Sequence, residues 1–247
     1  MSGHVSLLEW LTYAPSRLAQ QMLHAKNILF IGDSINEELF FTFISALWDS
    51  PICTHEEAPS YIYLRSSNFS VYSGRHDYLG LDTIPDKVAH RENIRGIDFR
   101  PLLEGGNISF LVLNRGAHYQ DTSTYLETIN KTLTYITTTY PLMTILYRNT
   151  VPGHVQIHGE YRFSPPLLEA QNLTGHPHHW DKFHSQNIEV EAFLERYFPR
   201  VVYLDVYTST VLRRDSYCVK DGLHYCIPGP IDEWVVLLFN TMKLLTM

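Results

Sequence analysis

The sequence predicts an α/β fold, a three-layer αβα sandwich of flavodoxin-like type around a mostly parallel sheet. Three observations carry that expectation. Short, almost wholly apolar runs recur at residues 27–32, 108–114, 144–147 and 201–205, as strands covered on both faces require. Stretches with helical periodicity separate them, and that alternation builds parallel strands joined by crossover helices. Ligands of such sheets bind beyond the carboxyl ends of the strands. Asp33 and Ser34, Asn114, and Arg148 each follow one of these strands.

In chain order, residues 1–25 form a helical lead-in whose loose period, through Leu7, Leu8, Leu11, Leu18 and Met22, is interrupted by Pro15. The first strand runs into Asp33-Ser34. The helix over 36–48 puts Leu39, Phe40, Phe43 and Leu47 on one stripe. Residues 61–72 alternate apolar and polar and read as a strand. Glu104-Gly105-Gly106 turns the chain into the next buried strand. A helix over 124–138 carries Leu126, Ile129, Leu133 and Ile136 at helical spacing. After the strand ending at Arg148 comes a long irregular loop, 152–186, rich in Pro, Gly and His; loops of that length are functional or mobile. A helix over 187–197, a strand over 201–205 and a closing helix over 231–245 complete one domain spanning 1–247.

Composition limits the chemistry. The 247 residues are 45% hydrophobic and 18% charged, which argues against wholesale disorder. A net charge of −7 with no Lys/Arg cluster argues against a nucleic-acid partner. Three cysteines allow at most one internal disulfide. The 16 tyrosines suit either an aromatic core or flat ligands such as sugars. Residues 1–25 lack the apolar region of a signal peptide. Residues 132–147, Thr-rich and broken by Pro141, make a poor membrane span. Asn68, Asn107, Asn130 and Asn172 each begin an N-glycosylation sequence, which favours exposure to a lumen.

Ser34 stands at a strand-to-helix junction, where unpaired backbone N–H groups could stabilise negative charge on a substrate oxygen. Capping of the helix by Asp33 or Ser34 accounts for the same residues. The Gly-x-Ser-x-Gly elbow, the P-loop, the Gly-x-Gly-x-x-Gly fingerprint and the His-Glu-x-x-His zinc motif do not occur. A nucleophilic serine needs a base and an orienting carboxylate. Asp221-Gly-Leu-His224 offers both, at a spacing that lets the two side chains share one side of a turn. His176-Pro-His178-His179 has no Cys or carboxylate at ligand spacing, so no metal is expected. The serine chemistry itself needs no cofactor.

Four segments carry a resemblance: Phe30-Ile-Gly-Asp-Ser34-Ile-Asn36, Asn114-Arg-Gly-Ala-His118-Tyr, Arg148-Asn-Thr-Val-Pro-Gly-His154, and Asp221-Gly-Leu-His224-Tyr-Cys226-Ile-Pro-Gly-Pro-Ile-Asp232-Glu-Trp234. Together they resemble the PC-esterase / trichome-birefringence-like family of the SGNH (GDSL-like) hydrolase superfamily, from about residue 26 to the C-terminus. The resemblance implies a Ser34/His224/Asp221 triad and transfer or removal of O-acetyl groups on glycans, often in the Golgi lumen. It implies an oxyanion hole from Ser34 N–H and the Asn114 amide, with a further glycine for which Gly74 and Gly80 are candidates. Arg148 and His154 match family positions near the active site and are candidate substrate-binding residues, with Trp180 as a sugar-stacking candidate. Gly222 replaces the cysteine that plant members carry after the catalytic aspartate, and Ala117 is an insertion relative to them. Cys226 matches a family cysteine, with Cys218 and Cys53 as alternative partners.

The expected activity is therefore acetyl transfer to carbohydrate hydroxyls through an acetyl-serine, by a monomer using a carbohydrate acceptor and an acetyl donor. Hydrolysis by the same triad is the first alternative, and an inactive glycan-binding scaffold is the second. The expected location is the Golgi lumen or outside the cell.

Overall fold

The computed structural model describes residues 25–47, 54–58, 61–65, 69–155, 165–217 and 221–246. Nearly all of the expected N-terminal lead-in lies outside these residues, as do Cys53, Asn68 and Cys218.

Seven strands form one sheet: β1 (Asn27–Gly32), β2 (Thr54–Ala58), β3 (Tyr61–Arg65), β4 (Ser70–Arg75), β5 (Ile108–Asn114), β6 (Thr144–Arg148) and β7 (Val202–Leu204), in the order β2-β3-β4-β1-β5-β6-β7. β4, β1, β5, β6 and β7 run parallel, and β2-β3-β4 is an antiparallel extension. The expectation of a single strand over 61–72 is corrected by this extension. The segment reverses between β3 and β4, pairing Leu64 with Val71. Alternation of apolar residues continues across a reversal, so periodicity could not reveal the turn.

The main helices are α1 (Ser34–Leu47), α2 (Asp86–Glu92), α3 (Arg100–Gly105), α4 (Thr122–Thr139), α5 (Phe183–Tyr197), α6 (Tyr207–Thr210) and α7 (Pro230–Leu244). A 3₁₀ turn at Trp180–Lys182 leads into α5, so helix begins within the expected loop. α4 is rich in Thr and weak in intrinsic propensity. Its stability derives from the N-cap Asp121, whose side chain accepts from Thr124 N, and from its buried stripe of Tyr125, Ile129, Leu133 and Ile136.

The two-residue period of the strands sorts the core into two layers. Ile28 and Phe30 of β1, Phe110 and Val112 of β5 and Leu146 of β6 point toward α1 and α7. Their neighbours Leu29, Ile31, Leu111, Leu113 and Ile145 point toward α3, α4 and α5. β1 is thus buried on both faces and flanked on both edges, which accounts for its unbroken apolar run. Its carboxyl end lies at the middle of the rim, with Gly32 opposite Arg75 and, one strand further, Asn114 opposite Arg148.

On the α1/α7 side Phe43 stacks on Phe239 with ring centres 4.6 Å apart and packs on Phe30 at 5.4 Å. Replacing Phe43 with Ala removes a fully buried ring and costs about 3–5 kcal/mol in urea unfolding. Phe41→Ala, on the 39% exposed side of the same helix, costs under about 1 kcal/mol.

Candidate active site

The end of β1 is organised by Asp33, which is 1% exposed. Its Oδ1 accepts from Ile35 N at 3.0 Å and Asn36 N at 3.1 Å, and its Oδ2 accepts from Ala117 N at 2.9 Å. Asp33 therefore caps α1 and ties the chain after β5 to the chain after β1. Ser34 is released from capping. Its hydroxyl reaches the cavity, and its N–H belongs to the first helical turn, where no helix carbonyl can accept it.

His224 Nε2 lies 2.8 Å from Ser34 Oγ, and His224 Nδ1 hydrogen-bonds Asp221 Oδ2. Asp221 Oδ1 accepts from Leu223 N at 2.9 Å and His224 N at 3.0 Å, so the carboxylate also shapes the turn. Gly222 has φ 71°, a conformation costly for residues with a Cβ. Its carbonyl accepts from His154 N at 2.9 Å, which anchors the turn to the loop after β6. With Asp221 holding Nδ1–H, Nε2 is left as the acceptor facing the Ser34 hydroxyl. Partial burial opposes ionisation of Asp221, but the hydrogen bonds from His224 and the backbone hold its carboxyl down at about 2.

Glu38, one turn along α1 from Ser34, accepts from Tyr225 N at 3.3 Å and so joins the helix of the serine to the loop of the histidine. Burial pushes its carboxyl up to about 7 against the pull of His224. The hydrogen bond to Asp221 raises His224, and Glu38 adds to the rise while burial opposes it. Nothing in the sequence motifs pointed to Glu38. Only its i+4 spacing from Ser34 placed it on the same helix face.

Ser34, Asp221 and His224 open onto a cavity of about 560 Å³, whose other walls include Arg75, Arg95, His118 and Trp180. A second cavity of about 600 Å³ lies at the amino ends of the strands, near Lys26, Glu104 and Thr144. No histidine lines it among the described residues. The sequence reading missed Arg75 and Arg95. Arg75 ends β4, so the rule that pointed to Asn114 and Arg148 would have found it had the strand been ended correctly.

Three expected site residues are corrected. Arg148 is buried rather than substrate-facing. It donates through Nη2 to Asp33 Oδ1 at 3.4 Å, through Nε to Asn36 Oδ1 at 3.4 Å and through Nη1 to Asn149 O at 2.9 Å, and it lies 5.8 Å from the Trp234 ring centre. His154 is 1% exposed, with both ring nitrogens engaged, at 2.6 Å to Tyr217 OH and 2.8 Å to Val211 O. Burial lowers its pKa, so it is a neutral brace. Asn114 is 0% exposed, and its amide donates to Arg148 O at 3.1 Å instead of facing the cavity.

Neither Gly74 nor Gly80 lines the cavity: the first packs against Ile97 and Ile31 and the second against His76. Trp180 does border it but is 6% exposed. Its indole stacks on His176 at 4.0 Å and covers Gly153, where a Cβ would come within 2.1 Å of the ring. Among the described residues no group of three His, Cys, Asp or Glu is placed to hold a metal ion. Cys226 is disulfide-bonded, and both possible partners lie outside the described residues.

No family model and no curated protein matches the chain. Among solved structures, the periplasmic domain of a lipopolysaccharide acetyltransferase from Salmonella ser. Paratyphi A is similar at TM-score 0.50 and 15% identity, over 98% of this chain and 90% of that one. A protein of Parabacteroides merdae named as a GDSL-like lipase gives TM-score 0.47 at 12% identity, over 89% and 97%. At these identities the first likeness establishes the fold, the α/β sandwich with its five parallel strands and flanking helices.

Two measurements check this geometry. Replacing Arg148 with Met leaves Asp33 buried without its cation, and unfolding stability is expected to fall by about 3–5 kcal/mol. In an NMR titration the His224 imidazole is expected to lose its proton above pH 6.5, the ordinary histidine value. In Glu38→Gln, which removes a carboxylate that favours the imidazolium, the midpoint moves to lower pH.

Proposed function

We propose that this protein is a serine-dependent acyltransferase that moves acetyl groups onto carbohydrate hydroxyls through an acetyl-Ser34 intermediate. The observation that carries the reading is the 2.8 Å contact between Ser34 Oγ and His224 Nε2, with Asp221 on the far ring nitrogen. This contact also weighs against an inactive scaffold, in which the serine would need only to cap a helix.

In this reading Ser34 Oγ attacks the acetyl carbonyl while His224 Nε2 takes its proton. Asp221 keeps the imidazole in the right tautomer and stabilises the imidazolium. The developing oxyanion meets Ser34 N–H at the positive end of α1. Collapse breaks the bond from the acyl carbon to the leaving group, which departs with the proton returned by His224. An acceptor hydroxyl, deprotonated in turn by His224, then attacks the acetyl-serine. The acetylated sugar leaves, and Ser34 regains its proton.

Hydrolysis by the same steps has an observation in its favour. His224 is 30% and Asp221 47% exposed, so water reaches the acyl-enzyme unless an acceptor fills the cavity. The resemblance of the four motifs to the PC-esterase / trichome-birefringence-like family supports a glycan as acceptor.

A lumenal or extracellular setting is supported by the disulfide at Cys226 and by the exposure of Asn107, Asn130 and Asn172. Among the described residues no helix is long and apolar enough to cross a membrane.

Mass spectrometry after incubation with an activated acetyl ester tests the chemistry. An acetyl adduct on Ser34 is expected, absent in Ser34→Ala; no adduct and no turnover would overturn the reading. For turnover, kcat/KM is expected to fall as pH drops through the raised pKa of His224, because only the neutral imidazole accepts the serine proton. Adding neutral sugars to the acetylated enzyme separates transfer, seen as an O-acetyl sugar, from hydrolysis, seen as acetate alone.

A further inference from the structure

The wall of the cavity opposite the triad turn is cationic, and one buried carboxylate builds it. Asp77 has a side chain 0% exposed. Its Oδ1 accepts from Arg75 Nε at 2.8 Å and its Oδ2 from Arg75 Nη2 at 3.3 Å, a two-pronged grip that fixes the plane of the guanidinium. The same Oδ2 accepts from the backbone N–H of Arg95 at 2.7 Å and lies 3.4 Å from His118 Nε2. Asp77 N in turn donates to Arg95 O at 2.8 Å, and Ile97 N to Arg75 O at 3.1 Å. Residues 95–97 are thereby laced alongside the end of β4, and Arg75 and Arg95 line the cavity that holds Ser34.

The charges are arranged unevenly across this wall. Arg75 is paired, with Asp77 and with Glu37 at 3.3 Å, and 18% of its side chain remains exposed. Arg95 is exposed, and among the described residues its guanidinium has neither a hydrogen bond nor an ion pair, although its backbone is held at both ends and its charge acts at a distance on Glu37, whose carboxyl it helps to hold down against burial. Asp77 and Glu37 are not among the cavity-lining residues. Among the described residues the one carboxylate that is, Asp221, is committed to His224 and two backbone N–H groups. A substrate in the cavity thus meets two guanidinium groups, one of them without a direct partner, and among the described residues no free carboxylate. Solvation alone gives no reason to lock the backbone of an exposed arginine onto a buried aspartate beside a nucleophile.

We propose that Arg95, with Arg75 beside it, binds an anionic group carried by the ester that Ser34 attacks, so that the enzyme selects acylated substrates bearing a carboxylate or a phosphate. This deepens the acyl-transfer reading and rests on it for the ester. The recognition itself stands on Asp77, Arg75 and Arg95.

The test compares three acetylated methyl glycosides: a neutral glucoside, a glucuronoside and a phosphorylated glucoside. With wild-type enzyme, kcat/KM is expected to be higher for the charged compounds. In Arg95→Ala the ratio of charged to neutral kcat/KM should fall by about tenfold, the loss typical of one charge-assisted hydrogen bond. Arg95→Glu should reverse the preference, and Arg95→Lys should restore part of it. The glucuronoside and phosphate arms tell which anion is the better fit. Equal ratios in wild type and Arg95→Ala would overturn the proposal while leaving the serine chemistry intact. Calorimetric binding of the same glycosides to Ser34→Ala separates the two failures. Preferential binding of the charged compounds, lost in Ser34→Ala/Arg95→Ala, upholds the cationic wall even if the wild type turns over none of them. Equal binding of all three overturns it.

Discussion

The site depends first on the carboxylate of Asp33. Sitting at the carboxyl end of the central strand, it accepts from two backbone N–H groups of α1 and one after β5, and it pairs with Arg148 at the end of β6. Three neighbouring strand ends are thereby locked to one side chain. A carboxylate at 1% exposure is tolerated because both of its oxygens accept hydrogen bonds and a cation lies alongside. Burial works against the charge of Arg148 too, and Asp33 opposes that effect. The arrangement leaves Ser34 as the residue of the turn with no structural duty.

The same device recurs around the rim. Asp77, just past β4, fixes the guanidinium of Arg75, accepts from the backbone of Arg95 and lies beside His118; Asp205, after β7, accepts from Asn149 Nδ2 at 2.7 Å. Asp221 holds the tautomer of His224. Parallel strands deliver their carboxyl ends to one edge, and connections leaving that edge need partners for unpaired backbone groups. Short carboxylates meet that need and also fix side chains that border the cavity. Neutral braces fill the remaining gaps. His154 links the loop after β6 to Tyr217, whose ring stacks on Tyr225 at 4.7 Å, next in sequence to His224.

Much of this was legible in the residues. The apolar runs of β1, β5 and β6 read as strands covered on both faces, and the stripes of α1 and α4 pointed to the layers that cover them. The serine at one end and the Asp-x-x-His at the other stood in the contexts a triad needs. The sequence could not say which residues at strand ends face the cavity. Asn114 and Arg148 follow strands as Ser34 does, yet their side chains turn inward, because Asn114 is needed by a carbonyl and Arg148 by Asp33. Arg75 went unread because a hairpin inside an alternating stretch leaves the alternation unchanged.

The sequence by itself determined the layers, the alternation of strands and helices along the chain and the pair of segments that carry Ser34 and the Asp-x-x-His. Local periodicity and turn chemistry act over a few residues, and those features need no more. Tertiary structure decided the division of labour among polar residues. It made Asp33 rather than Ser34 the cap, turned Arg148 and His154 into braces, set Glu38 against the histidine and presented Arg75 and Arg95 to the cavity. Those outcomes depend on burial and on partners far away in sequence, 115 residues apart for Asp33 and Arg148. Whether a charged side chain braces the fold or faces a ligand is settled by what surrounds it in space, which no local pattern records.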